Sequence, residues 1–186
     1  YDSYIKDFPY KSRYDYQGIL NRKTELLRDI YESTDIAKKA KPDSALSKWI
    51  SENPWIVEYA VYKNLKWQNM QASWKSWDKK DQLPGQKEIQ KRWNDENLKK
   101  EHLFYAWLQF KLNIQFKASC EYVKSLGIIL KGDMPIMMNE DSCDAWANPE
   151  FFNHSLRAGS PVDNENPAGP TWGSPTYTWQ TLRDAG

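Results

Sequence analysis

GIILKGDMPIMMNEDSCDAW, residues Gly127 to Trp146, is the stretch that decides how this chain is read. A short apolar run, Ile128 to Leu130, leads into Gly132, Asp133 and Pro135. A loop of roughly forty residues dense in Gly, Pro, Asn, Asp and Trp then runs to RAGSPVDNENPAGPTWGSPTYTW, Arg157 to Trp179. A strand that delivers a carboxylate to its own C-terminal end, ahead of a long loop, is how a (β/α)8 barrel builds a binding site. Loops of that length without structure of their own are uncommon and usually functional. One feature resists this assignment. Ile129, Lys131 and Asp133 would share a strand face, and a bulge at Gly132 would be needed to turn Lys131 away from the barrel core.

Upstream, the pattern is helical. Ile19, Leu20, Leu26, Leu27, Ile30 and Tyr31 recur at three- and four-residue steps and predict a helix over 16–32. Asp43 or Ser44 can cap a second, short helix carrying Leu46, Trp49 and Ile50. Asn53 and Pro54 open a third helix, from Trp55 to about Met70, with Ile56, Tyr59, Ala60 and Lys63 on its apolar stripe. Trp74 and Trp77 fall in a polar connection. A fourth helix is expected over 86–94, with Ile89 and Trp93 four apart. A long fifth helix follows over 96–126, with Leu103, Ala106, Phe110, Cys120 and Val123 among its apolar positions, and Gly127 stops it.

The 186 residues suffice for one domain with a real core, and the net charge of +1 gives no footprint for nucleic acid or an anionic membrane. The sign is uneven: residues 1–118 carry 22 Lys+Arg against 16 Asp+Glu, and residues 119–186 carry 4 against 9. A solvated helical surface accounts for this; so does a basic face that meets a partner. Two cysteines, Cys120 and Cys143, make no disulfide framework and suit a reducing, cytoplasmic setting. No apolar run approaches the roughly 18 residues of a membrane helix. Ten Trp and 11 Tyr are an unusual load. Any one of them is first a core candidate, and together they are compatible with platforms on which sugar rings stack. His102 and His154 lack metal-ligand spacing and suit exposed helix and loop positions. Asp141 and Asp144 read as turn and cap residues rather than a catalytic pair. Ser142 has no context that would make it a nucleophile.

GDMPI, then DSCDAWANPEFF, then AGSPVD, then GPTWGSPTYTW, in that order, resembles the 4-alpha-glucanotransferase family (amylomaltases, or disproportionating enzymes). Three earlier segments, YDYQGILNRKTELL, ENPWIVEYAVYKNL and YAWLQFKLNIQF, are similar to further segments of that family, so the likeness runs from about Tyr14 to Trp179. Lys131, just before GDMPI, is more like the cytosolic plant and plant-like bacterial branch. The resemblance implies part of a (β/α)8 barrel that is mostly helical here. Residues 1–126 would be an inserted helical subdomain, and 127–186 strand three with its following active-site loops.

It further implies an enzyme that moves α-1,4-glucan segments between maltooligosaccharides or glucans. The mechanism would be retaining, run by two carboxylates about 5–5.5 Å apart, and without a cofactor. In the family these carboxylates come later than the motifs matched here, so no catalytic residue is assigned to this chain, and the remainder of the barrel is the expected partner. Four positions match substrate-binding ones. Asp133 corresponds to the strand-three carboxylate near the donor subsite; its alternative is a strand-end acid that caps the loop. Trp172 corresponds to the Trp of WG-x-P beside the scissile bond; its alternative is packing, which also suits Trp146, Tyr177 and Trp179. Asp163 and Gly169 lie in the segment that covers the active site. Val162, Pro170 and Ser174 depart from the family's Pro, Gln and Asn, and Pro170 removes both an amide side chain and a backbone N–H. Two other functions suit parts of the chain. The aromatics around Trp172 fit a non-catalytic carbohydrate-binding piece, and residues 1–126 alone fit a helical interaction module.

Overall fold

The computed structural model describes residues 15–42, 44–162 and 164–186. It divides into two compact units, residues 1–52 and 53–186. In the first, Asp15 caps helix α1 (Tyr16–Ser33) by accepting the Gly18 N–H at 3.0 Å. Thr34 ends it, its N–H and hydroxyl both donating to the Ile30 carbonyl. A single turn, α2 (Ile36–Lys39), and helix α3 (Ala45–Glu52) follow. Ser44 meets the capping expectation, its hydroxyl accepting the Ser47 N–H at 3.2 Å. Asp43, the other candidate cap, lies outside the described residues.

The second unit is built on helix α4 (Trp55–Gln68), which Pro54 opens at φ −59°. Apolar residues fall on several of its faces, so it is buried on more than one side: Ile56, Val57, Ala60, Val61, Tyr62 and Leu65 are all core. The expected stripe is too narrow, and Tyr59 and Lys63 are only half-buried. Helices α5 (Lys79–Gln82), α6 (Gly85–Trp93) and α7 (Glu96–Ser125) follow, and α6 and α7 pack on α4. Ile89, Trp93, Leu103, Phe104 and Trp107 close this core. Full burial of each such side chain contributes about 1.5–3 kcal/mol.

Three expectations need correcting. Trp74 and Trp77 lie in a connection that is polar around them, yet both are buried: Trp74 opens a 3₁₀ turn (Trp74–Ser76) and Trp77 follows it. One turn is too short to show a period, so only tertiary contacts reveal it as core. His102 is fully buried rather than exposed, and His154 is half-buried. The long loop has structure of its own. Helix α8 (Cys143–Ala147) packs on α4, and a 3₁₀ turn (Pro149–Phe151) leads into strand β1 (Phe152–Gly159). Strand β1 pairs antiparallel with β2 (Thr171–Tyr177), and helix α9 (Trp179–Asp184) follows.

Gly127, at φ +74°, stops α7 as expected. Beyond it, residues 128–136 form no strand, and Ile128, Ile129, Leu130, Met134 and Ile136 are exposed. A strand exists only where neighbours take up its N–H and C=O groups, and among the described residues no strand pairs with this segment. The outer half of α7 is exposed too, with Leu112, Ile114, Phe116 and Tyr122 open to solvent. No helix among the described residues is long and apolar enough to cross a membrane.

Candidate functional site

The β1–β2 hairpin carries two of the four expected binding residues. Trp172 lies on β2 and is 53% exposed. Gly169 sits in the connection, at φ +73°, its N–H donating to the Asn166 carbonyl at 2.9 Å. A Cβ there would lie 2.9 Å from the Ser160 carbonyl oxygen, so both the backbone angle and the space select glycine. Asp163 lies outside the described residues. Asp133 is exposed in the irregular segment, and no hydrogen bond joins it to Trp172 or Gly169 among the described residues. Trp146 is core, as expected, with no exposed surface. Trp179 is not: it is 65% exposed and meets only the Tyr177 ring, 5.2 Å away, among the ring contacts of the described residues.

The pairing of the hairpin is irregular. Phe152 faces Tyr177, Asn153 faces Thr176, Arg157 faces Pro175 and Gly159 faces Thr171, with the register slipping on both sides of Arg157. Pro175 has no N–H to give the ladder, which explains an irregularity at that level.

A pair of adjacent carboxylates, Glu140 and Asp141, lies between the hairpin and the helices, where the Trp74 and His154 rings also meet at 5.9 Å. Glu140 Oε1 is 2.6 Å from Lys75 Nζ and 3.2 Å from His154 Nδ1. Arg157 Nη2 donates to both Glu140 oxygens, at 2.9 and 3.0 Å. The Glu140 carbonyl accepts the Trp74 indole N–H at 2.7 Å. Asp141 accepts Lys66 Nζ at 2.7 Å, the Trp74 backbone N–H at 3.1 Å and the Tyr62 hydroxyl at 3.2 Å. Burial alone would raise both carboxyl pKa values. Hydrogen bonds from Lys75 and His154, with the charges of Lys75 and Arg157, outweigh it at Glu140. At Asp141 the hydrogen bonds from Lys66, Trp74 and Tyr62 and the Lys66 charge do the same, so both groups are held below the ordinary carboxylate range.

Asp141 is therefore a structural acid that ties a turn to α4, in line with the expectation. Ser142 caps α8, its hydroxyl accepting the Ala145 N–H at 3.2 Å. Cys143 is half-buried; burial, then the charges of Asp144 and Glu58, push its thiol pKa up, which makes it a poor nucleophile. Among the described residues no group of three or more His, Cys, Asp or Glu could hold a metal. The part played by Glu140, Lys75, His154 and Arg157 is not legible in the sequence. Glu140 and Arg157 are 17 residues apart, with no periodicity to pair them.

The family model described as 4-alpha-glucanotransferase, glycoside hydrolase family 77, matches residues 3–186. A 4-alpha-glucanotransferase of Clostridium butyricum is 32% identical over 180 residues, covering 92% of this chain and 36% of the relative. The 4-alpha-glucanotransferase DPE2 of Oryza sativa subsp. japonica is 28% identical over 174 residues, covering 92% of this chain and 18% of the relative. The fold is similar to that of an amylomaltase from Streptococcus agalactiae in complex with acarbose. There the TM-score is 0.79 at 22% identity, with 97% of this chain and 38% of that chain covered. The chain thus spans about a third of the length of the bacterial relatives it matches. With a match that runs from residue 3 to residue 186, this chain belongs to the 4-alpha-glucanotransferase family, glycoside hydrolase family 77.

Proposed function

We propose that this chain supplies a (β/α)8 4-alpha-glucanotransferase with its inserted helical subdomain, residues 1–126, and with strand three and the following active-site loops, residues 127–186. The family match over residues 3–186 carries this reading. The exposed aliphatic run Ile128 to Leu130 supports it, because flanking barrel strands would pair its backbone and cover its side chains. Asp133, three residues beyond that run, then accepts hydrogen bonds from sugar hydroxyls or a neighbouring Arg. Trp172, half open on the hairpin, stacks on a sugar ring or donates its indole N–H beside the scissile bond. The 158–169 segment, with Asp163 and Gly169, covers the bound glucan.

Chemistry then follows the retaining scheme. One carboxylate attacks the anomeric carbon and forms a glycosyl-enzyme, while a second protonates the leaving oxygen and later activates the acceptor hydroxyl. Both lie outside residues 1–186 in this proposal, and the reaction needs no cofactor. Substrates are maltooligosaccharides or α-glucans in a cytoplasmic setting. That an amylomaltase of the same fold was captured with acarbose agrees with a ligand of that kind. The test is glucose release from maltotriose. The chain alone is expected to give no turnover, while binding maltoheptaose with a change in Trp fluorescence that Trp172→Ala abolishes. Turnover by the chain alone would overturn the placement of the carboxylates. An unchanged titration of the variant would remove Trp172 from the site.

A further inference from the structure

We propose that Glu140 is a positioning residue, which sets the angle of the outer half of the β1–β2 hairpin and so places Trp172 over the bound glucan. This rests on the reading of the hairpin given above.

The hairpin is fixed at its base without Glu140. The Phe152 and Tyr177 rings meet at 5.4 Å, and the Thr178 N–H donates to the Phe151 carbonyl at 2.9 Å. Further out the ladder is irregular: Arg157 faces Pro175, the register slips on either side, and pairing resumes at Gly159 and Thr171, beyond which the Ser160 N–H donates to the Pro170 carbonyl at 3.2 Å. The irregularity bends the ribbon at that level, so backbone pairing alone holds the direction of the outer half less firmly than a regular ladder would. Glu140 grips the hairpin at that level, through the two Arg157 bonds and His154. Arg157 is itself held flat on β1, its Nη1 donating to the His154 and Leu156 carbonyls at 2.7 and 2.9 Å. The other side of the grip is rigid. Lys75 binds the same carboxylate, the buried Trp74 binds the Glu140 carbonyl, and Asp141 ties the next residue to Lys66 and Tyr62 of α4. The Glu140 side chain is only 19% exposed, so these are partly desolvated, charge-assisted bonds.

The lever is long enough to matter. Trp172 stands three residues from Pro175 along β2, roughly 10 Å at ~3.3 Å per residue. A tilt of about 10° at the grip would move Trp172 by about 2 Å, and misplacement by about 1 Å can cost about a hundredfold in rate.

The test uses the complete enzyme with Glu140→Gln, which keeps the shape but loses the charge, and with Arg157→Lys, which keeps the charge but loses the planar guanidinium that bonds Glu140 through Nη2 and the His154 and Leu156 carbonyls through Nη1. Amide exchange should rise about tenfold in residues 155–159 and 171–174 and stay unchanged in α4 and α7, showing that the fold is intact. The kcat/KM for maltotriose should fall about tenfold in either variant. In a Trp172→Ala background the same changes should cost less than about twofold, because Glu140 acts through Trp172. Unchanged hairpin exchange overturns the grip, and so do losses that multiply with Trp172→Ala. If Trp172→Ala alone leaves kcat/KM intact, the sugar-site reading of the hairpin falls, and this proposal with it. That result is distinct from a failed grip, in which Trp172→Ala is damaging but Glu140→Gln is silent.

Discussion

Acid should weaken the helical core through His102. His102 has 1% of its surface exposed, stacks on Trp93 with ring centroids 5.9 Å apart, and has Nε2 3.3 Å from Asn64 Nδ2. With the amide nitrogen facing the ring, Nε2 accepts, and the neutral tautomer carries its proton on Nδ1. Protonating Nε2 would set donor against donor. Burial first, then the Lys99 charge, lowers the His102 pKa from 6.5 to about 4, against weaker pulls from the Trp93 backbone, Asp95 and Glu101. Because the folded value lies below the unfolded one, the unfolded chain takes the proton first as pH falls. Stability therefore declines from about pH 6.5 and levels off near pH 4. The loss is about 2 kcal/mol by pH 5 and about 3 kcal/mol in full, at ~1.4 kcal/mol per pH unit. Urea unfolding of the chain and of His102→Gln, followed by circular dichroism at half-unit steps from pH 7 to 4, checks this. The difference between the two curves isolates His102 from every other titrating group. It should shrink by about 2–3 kcal/mol across the window; curves that stay parallel would refute the reasoning.

Trp146 is fully buried between Tyr62 and Trp77 and donates its indole N–H to the Asp81 carbonyl at 2.8 Å. Trp146→Ala should cost about 4 kcal/mol and Trp146→Phe about 2 kcal/mol in urea unfolding, the first from the cavity and the second mainly from the orphaned carbonyl. Glu140 and Asp141 have lowered folded pKa values, so their stabilisation is complete above the ordinary carboxylate range and fades as pH falls through and below it. A Glu140→Gln, Asp141→Asn double variant should therefore differ from the parent at pH 6 and converge with it near pH 2, as read by thermal melting. Gly169→Ala should destabilise the hairpin by about 1–2 kcal/mol, since it forces a side chain to φ +73° against the Ser160 carbonyl, with faster exchange confined to residues 159–171.

The longer helices were legible because each leaves a local trace, whereas the one- or two-turn helices α2, α5, α8 and α9 are too short to show a period. The period of α1, the Pro54 start of α4 and the Gly127 stop of α7 are written within a few residues, and the boundaries fall within about two residues of the pattern. The hairpin was hidden for an equally physical reason. Its β1 sequence, FNHSLRAG, has neither strict alternation nor a two-residue turn, and the connection to β2 carries the Pro and Gly that announce a loop. His102 was misjudged as exposed because a polar residue on a helix usually is. Only the stacking against Trp93 and the Asn64 contact, from a residue 38 positions away, make its burial affordable. Of the ten tryptophans, Trp49, Trp74, Trp77, Trp93, Trp107 and Trp146 are buried, while Trp55, Trp67, Trp172 and Trp179 are exposed. Composition alone could not sort one group from the other.

The charge asymmetry along the chain is partly resolved within the chain itself. Lys66 and Lys75 belong to the basic stretch, Glu140 and Asp141 to the acidic one, and they meet at 2.7 and 2.6 Å. These contacts lie next to the buried Trp74 and Tyr62, where the surrounding core limits the side-chain entropy lost in forming them. A basic helical surface that was only solvated would make no such use of its lysines. One that only awaited a partner would leave them free. Here two of them fasten the segment that follows Asp133 to α4 and the Trp74 turn, and the same carboxylate that Lys75 binds reaches on to Arg157 of the hairpin. Neutralising Lys75 alone should therefore loosen both ends of the connection, raising exchange around residue 140 and in β1 together. Neutralising an exposed lysine such as Lys91, whose nearest carboxylate is 3.5 Å away on its own helix, should change neither.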